Sequence, residues 1–233
     1  MTGALAGRVA LVTGAGAGIG EGIARRFADE DARVVVAERD EAAGRAAADR
    51  IGGLFVATDV ADRAQVDAAV AATVSEFGSV DILVNNAWGG GGIGRVERKT
   101  DEQIASGIAV GYYGPFWAMR AAHPHMKARG WGRVINLCSL NGVNAHMGSL
   151  EYNAAKEALR ALTRTAAREW APIGVTVHAL CPAAKSQAFF HALGDHPELE
   201  AMADAANPMG RMATPTTTSP RWRCSWRARR RDT

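Results

Sequence analysis

One stretch limits the fold more than any other. Arg8-Val9-Ala10-Leu11-Val12-Thr13 runs into Gly14-Ala15-Gly16-Ala17-Gly18-Ile19-Gly20, and a helical pattern follows from Glu21 to Asp29. A buried strand, a glycine-rich turn and a helix in that order form the start of a βαβ unit. Glycines let the backbone come close to phosphates, and the helix N-terminus offers N–H groups and its dipole. Gly14, Gly16, Gly18, Ile19 and Gly20 are therefore candidate contacts for a dinucleotide pyrophosphate. The spacing is G-x-x-x-G-x-G. A literal G-x-G-x-x-G occurs only at Gly89–Gly94, where no helix pattern opens, so it reads as a flexible loop.

The alternation continues down the chain. Arg33–Ala37 is a strand ending at Glu38, eighteen residues after Gly20. A carboxylate there suits a ribose 2′-hydroxyl and repels a 2′-phosphate, which points to NAD; Arg39 beside it speaks for NADP. A helix over Glu41–Ile51 and a strand over Leu54–Ala57 follow. Asp59 and Val60 end that strand, in place to meet an adenine, while the plainer role for Asp59 is a cap ahead of a helix over Ala61–Phe77. Asp81–Val84 is the next strand and leads into Asn85-Asn86-Ala87-Trp88 and a loop with five glycines, read either as a substrate flank or as a mobile connection. Helices are expected over Asp101–Val110 and Tyr112–Arg129, strands over Gly132–Cys138 and Gly174–Leu180, and a helix or lid over Ser186–Ala206. Strands alternating with long helices imply a doubly wound parallel sheet with helices on both faces.

Candidate chemistry sits on the helix expected over Glu151–Trp170. Tyr152 and Lys156 lie four residues apart, hence on one helix face. An ammonium near a phenol favours the phenolate and lowers the Tyr pKa, making it a proton carrier for a carbonyl or alcohol oxygen. Ser139, thirteen residues before Tyr152, follows a strand at its carboxyl end, where such sheets bind ligands. His178 reads as a partly buried, satisfied histidine. Trp88, Asn141, His146, Met147 and Phe189 are guessed to line a substrate pocket.

At 233 residues and 48% hydrophobic content, the chain can build one full α/β core. No apolar run reaches the roughly 18 residues of a membrane span, and the N-terminus lacks a signal-peptide layout. Cys138, Cys181 and Cys224 show no metal spacing, and the first two read as buried thiols, in keeping with a reducing cytoplasm. From Arg221 onward six Arg and one Asp give +5, so the rest of the chain carries −2. This tail, with Trp222 and Trp226, has phosphate-binding chemistry, but the plainer reading is a disordered tail, and nucleic acid is not expected as a partner.

From about Leu5 to Met212 the chain resembles the short-chain dehydrogenase/reductase family. The motif residues are Thr13-Gly14-x-x-x-Gly18-x-Gly20, Asn85-Asn86-Ala87, and Ser139 with Tyr152 and Lys156. The resemblance implies a Rossmann fold, a nicotinamide cofactor, and interconversion of a secondary alcohol and a ketone. It makes Tyr152 the acid/base, has Ser139 steady the substrate oxygen, and has Lys156 hold the nicotinamide ribose. It adds Asn86, Ala87, Pro182 and Lys185 to the cofactor contacts, and it implies a homodimer or homotetramer. The chain departs from the pattern at Trp88 (usually Gly), at Gly111 (usually a relay Asn), at Ala183 after Pro182 (usually Gly), and at Lys185 (usually apolar), where a cation suits an acidic substrate. After Met212 the expected last strand is missing or altered: residues 213–233 read as a separate Pro/Thr-rich, then Trp/Arg-rich tail. Gly111 and this tail leave open a second reading, a dinucleotide-binding homologue of weak activity.

Overall fold

The computed structural model describes residues 3–89, 91–185, 197–205, 207 and 209–213. Its strands are β1 (Val9–Thr13), β2 (Arg33–Glu38), β3 (Leu54–Ala57), β4 (Ile82–Asn85), β5 (Gly132–Leu137) and β6 (Val175–Leu180). They pair in parallel in the order β3-β2-β1-β4-β5-β6. The inner strands are apolar on both sides because helices cover both faces. Leu11, Val35 and Leu83 pack into the core on one face, and Val12, Val36 and Val84 into the core on the other. Leu11 and Leu83 are wholly buried, and cutting either to Ala would cost about 2–5 kcal/mol. This is the doubly wound α/β architecture expected from the alternation.

The strand order reverses between β1 and β4, which opens a crevice at the carboxyl ends of the strands. Glu38 ends β2, and the glycine turn, Asn86 to Trp88, Ser139 and Pro182 follow carboxyl ends of strands, so the sheet delivers them to one edge. Around the sheet lie α1 (Gly18–Asp29), α2 (Glu41–Ile51), α3 (Arg63–Phe77), α4 (Asp101–Ile108), α5 (Gly114–Arg129), the short α6 (Leu140–Val143) and α7 (Leu150–Trp170).

Local chemistry explains several boundaries. Asp40 caps α2 by accepting from the Ala43 amide, and Thr100 with Gln103 forms a capping box on α4. The cap of α3 is Asp62 and not Asp59, and the helix starts at Arg63. Asp59 instead accepts from the Ala61 amide at 2.9 Å and faces Arg39 at 3.9 Å. The two helices expected over Asp101–Val110 and Tyr112–Arg129 form one continuous run, joined by a π-helical turn at Ala109–Tyr113.

The chain divides into two compact units, Met1–Pro182 and Ala183–Thr233. The first contains the sheet. In the second, Pro197–Ala205 is helical and Ala184 bridges Ala213 in parallel. Among the described residues β6 is the outer strand on its side. The tail beyond Ala213, Phe189 and residues 186–196 of the expected lid lie outside the described residues. No described helix is long and apolar enough to cross a membrane.

Candidate active site

At the β1 end, the turn is built by close backbone approach. Gly14 and Gly18 have φ of +64° and +62°, a region that favours glycine. A Cβ on Gly20 would press on the Gly14 carbonyl and lie 2.5 Å from Asn86 Nδ2. The Asn86 amide donates to the Thr13 and Gly14 carbonyls at 3.0 and 2.9 Å, so its side chain fastens the turn to β4. Thr13 Oγ1 accepts from the Asn86 and Ala87 amides and donates to the Val84 carbonyl. Glu38 Oε2 accepts from the Gly16 amide at 3.1 Å, which sets a carboxylate against the turn. Its other oxygen accepts from the Arg39 and Asp40 amides. Ala17, the cap position of α1, supplies no capping side chain, in contrast with α2, α3 and α4. Val60 is buried in the core.

At the β5 end, the structure brings Ser139, Tyr152 and Lys156 together. A buried polar chain sets α7 against the sheet. Asn85 Nδ2 donates to Asn136 Oδ1, and Asn136 Nδ2 donates to Thr163 Oγ1, each at 2.8 Å. Ser139 Oγ accepts from the Asn141 amide at 3.1 Å, and its hydroxyl is near enough to Tyr152 to favour the phenolate. Lys156 is buried and donates to the Leu137 carbonyl at 2.7 Å. Its Nζ lies 5.6 Å from the Tyr152 ring centroid.

The electrostatics differ from the sequence expectation. Burial raises the Tyr152 pKa above its usual value, and the Ser139 hydroxyl opposes that rise without reversing it. Burial pulls Lys156 itself down to about 8. The ammonium engages a carbonyl and the faces of rings, so desolvation dominates both groups. Cys138, beside Ser139, is a buried thiol pushed up to about 11 by burial, so it is not a ready nucleophile. His178 meets Thr176 Oγ1 at 2.8 Å, in keeping with a satisfied histidine.

Two residues of the glycine loop, Gly92 and Gly94, are tied to neighbouring elements by hydrogen bonds. Glu151 Oε1 accepts from the Gly92 amide at 2.7 Å, and Lys99 pairs with Glu151 at 2.8 Å with side chains 3% and 2% exposed. Lys99 also donates to the Gly92 carbonyl, and the Gly94 amide donates to the Gly148 carbonyl at 2.9 Å. Burial pushes the Glu151 carboxyl up, but the Lys99 hydrogen bond and the amides of Glu151 and Gly92, with the Lys99 charge, leave it below its usual range. Sequence reasoning missed this pair: its members are 52 residues apart and no local pattern marks them.

Trp88, expected to line the substrate pocket, is half-buried and packs against Tyr152. Its ring meets Tyr152 edge-on, with centroids 4.7 Å apart at 84°. A Cβ on Gly111 would lie 2.7 Å from the Trp88 ring and from Ala155 Cβ. The two departures noted at 88 and 111 thus share one space, and an Asn at 111 would not fit beside Trp88. Met147 is exposed, and His146 Nδ1 lies 3.3 Å from Ser149 Oγ. Within the second unit, Lys185 is bound by Glu200 and Asp204, each at 2.7 Å. Those two carboxylates match the cation that the sequence offered to an acidic substrate.

The short chain dehydrogenase family profile matches residues 8–197. The chain is 39% identical over 219 residues to a galactitol 2-dehydrogenase (L-tagatose-forming) of Cereibacter sphaeroides, covering 91% of this chain and 85% of that one. It is 34% identical over 221 residues to a 12alpha-hydroxysteroid dehydrogenase of a Clostridium species, covering 90% and 85%. Among solved structures, a 3-ketoacyl-(acyl-carrier-protein) reductase from Brucella melitensis complexed with NADH superposes with a TM-score of 0.84 at 35% identity, covering 91% and 88%.

Proposed function

The chain belongs to the short-chain dehydrogenase family of oxidoreductases acting on CH–OH groups, and from that premise we propose that it interconverts a secondary alcohol and a ketone using NAD. The observation that carries the proposal is the meeting of Ser139, Tyr152 and a buried Lys156 at the carboxyl end of β5, in the sheet whose β1 end carries the glycine turn. The relatives' names, which span a sugar alcohol and a steroid, agree on the reaction and differ on the substrate.

The residues present fit a nicotinamide dinucleotide. Gly18 has no protein atom within 4 Å of where a Cβ would stand, so space is open at the turn, and α1 has no capping side chain over its first amides. Glu38, held against Gly16, is placed to accept from a ribose hydroxyl, which supports NAD over NADP. Asp59 and Ala87 belong to the same cofactor side. The dinucleotide, when bound, supplies or accepts the hydride.

The chain's own residues handle the proton. Ser139 and Tyr152 hold the substrate oxygen between their hydroxyls. A raised Tyr152 pKa keeps the phenol protonated near neutral pH, so it donates to the oxygen of a ketone; in alkaline solution the phenolate takes the proton of an alcohol. Lys156 remains an ammonium below about pH 8 and presents positive charge to that centre. Free Cys138 and Cys181 support a reducing cytoplasm as its setting. Assembly as a dimer or tetramer belongs to the same reading and rests on the family resemblance alone.

The test is NADH consumption over a panel of ketones, with Tyr152→Phe as control. Turnover by the parent and none by the variant is expected; equal turnover refutes the assignment. A second reading, a weakly active dinucleotide-binding homologue, draws on Trp88 filling the space beside Gly111. NADH binding without turnover of any ketone would favour it.

A further inference from the structure

Lys156 is 4% exposed, which is severe for an ammonium. The ionisable groups that bear on it are Cys138 after β5 and Cys181 after β6. Both thiols are raised by burial, Cys138 to about 11, so both are neutral where Lys156 titrates. No carboxylate pairs with Lys156 among the described residues. Its contacts are the Leu137 carbonyl at 2.7 Å and two aromatic rings, Trp88 at 5.4 Å and Tyr152 at 5.6 Å from ring centroid to Nζ. Both lie inside the range of about 6 Å within which a cation is drawn to a π-face.

Trp88 reaches this position because residue 111 is glycine. The π-helical turn at Ala109–Tyr113 brings Gly111 against α7, and the indole takes the space that a Cβ would occupy. The same ring supports Tyr152 edge-on. One residue from the β4 end therefore touches both members of the pair on α7.

We infer that Trp88 is a positioning residue that sets the charge state of Lys156 and the posture of Tyr152, with Gly111 as the vacancy that admits it. The inference rests on the proposed role of the pair, but its test does not depend on turnover.

The chain has four lysines, Lys99, Lys127, Lys156 and Lys185, so selective 13Cε labelling gives a spectrum simple enough to assign. The full-length protein is titrated as parent, as Trp88→Leu, and with a fluorinated tryptophan placed at 88 alone. Fluorination weakens the π-face and keeps the shape, which covers the case where the leucine variant does not fold. Loss of the π-face should move the Lys156 titration down by about half to one pH unit in the leucine variant, and in the same direction by less with the fluorinated ring. The high-pH limb of kcat/KM should move with it. A Lys156 titration unchanged by either replacement overturns the inference, even if activity falls. A parent that turns over no ketone while the titration still moves overturns the functional reading and leaves this one standing.

Discussion

The two ends of the site are held by different means. At the glycine turn, geometry comes from backbone: amides and carbonyls of Thr13, Gly14 and Gly16, with Asn86 and Glu38 binding them. At the loop after β4, geometry comes from side chains: half-buried Trp88 against Gly111, and buried Lys99 paired with Glu151. A backbone turn tolerates almost no added atom, whereas a side-chain lattice can be rebuilt if charge and volume are matched. This predicts opposite responses to substitution.

The largest effect on stability is expected at the loop. Lys99→Met strands the Glu151 carboxylate without its cation and should cost about 3–5 kcal/mol, read as a lower melting temperature. Adding Glu151→Gln should recover most of that loss; no recovery would mean that the loop is not held by this pair. At the turn, Gly20→Ala forces a Cβ into the Gly14 carbonyl and Asn86, costing about 1–3 kcal/mol and NADH affinity, with no single second change expected to rescue it.

Between these two ends, Lys156 gives a pH signature. Its folded pKa, about 8, lies below the ordinary value of 10.5. From pH 8 to 10.5 the unfolded state therefore binds more protons, and stability rises with pH, by at most about 1.4 kcal/mol per pH unit from this group. The stability of the parent minus that of Lys156→Met should grow across that window; a flat difference would mean that Lys156 is not desolvated. The smallest effect is at Arg39, whose pair with Asp59 is long and exposed. Arg39→Ala should change stability by about 0–1 kcal/mol, which sets the scale for the buried pair, and NADPH affinity in the same variant checks whether Arg39 favours a 2′-phosphate.

The sequence made the turn end legible and the loop end mostly not. Strand, glycines and Glu38 follow one another within about thirty residues, and their spacing carries the geometry. Ser139, Tyr152 and Lys156 were legible too, since helix periodicity and a strand end place them. What escaped was long-range. Glu151 beside Tyr152 gives no local hint of Lys99. Trp88 and Gly111 read in sequence as two separate departures from the family pattern, and nothing local marks that they occupy one space. The pKa of Tyr152 was misjudged for the same reason: i,i+4 spacing gives proximity, but burial fixes the balance between desolvation and charge.

The most direct measurement sets turnover and NADH affinity side by side in Gly20→Ala and Tyr152→Phe. The expected result is a crossover. Gly20→Ala weakens NADH binding, and Tyr152→Phe keeps it while ketone reduction falls by about a hundredfold or more. If Tyr152→Phe lost affinity and turnover together, or lost neither, the division into a cofactor-holding turn and a proton-handling helix would be contradicted.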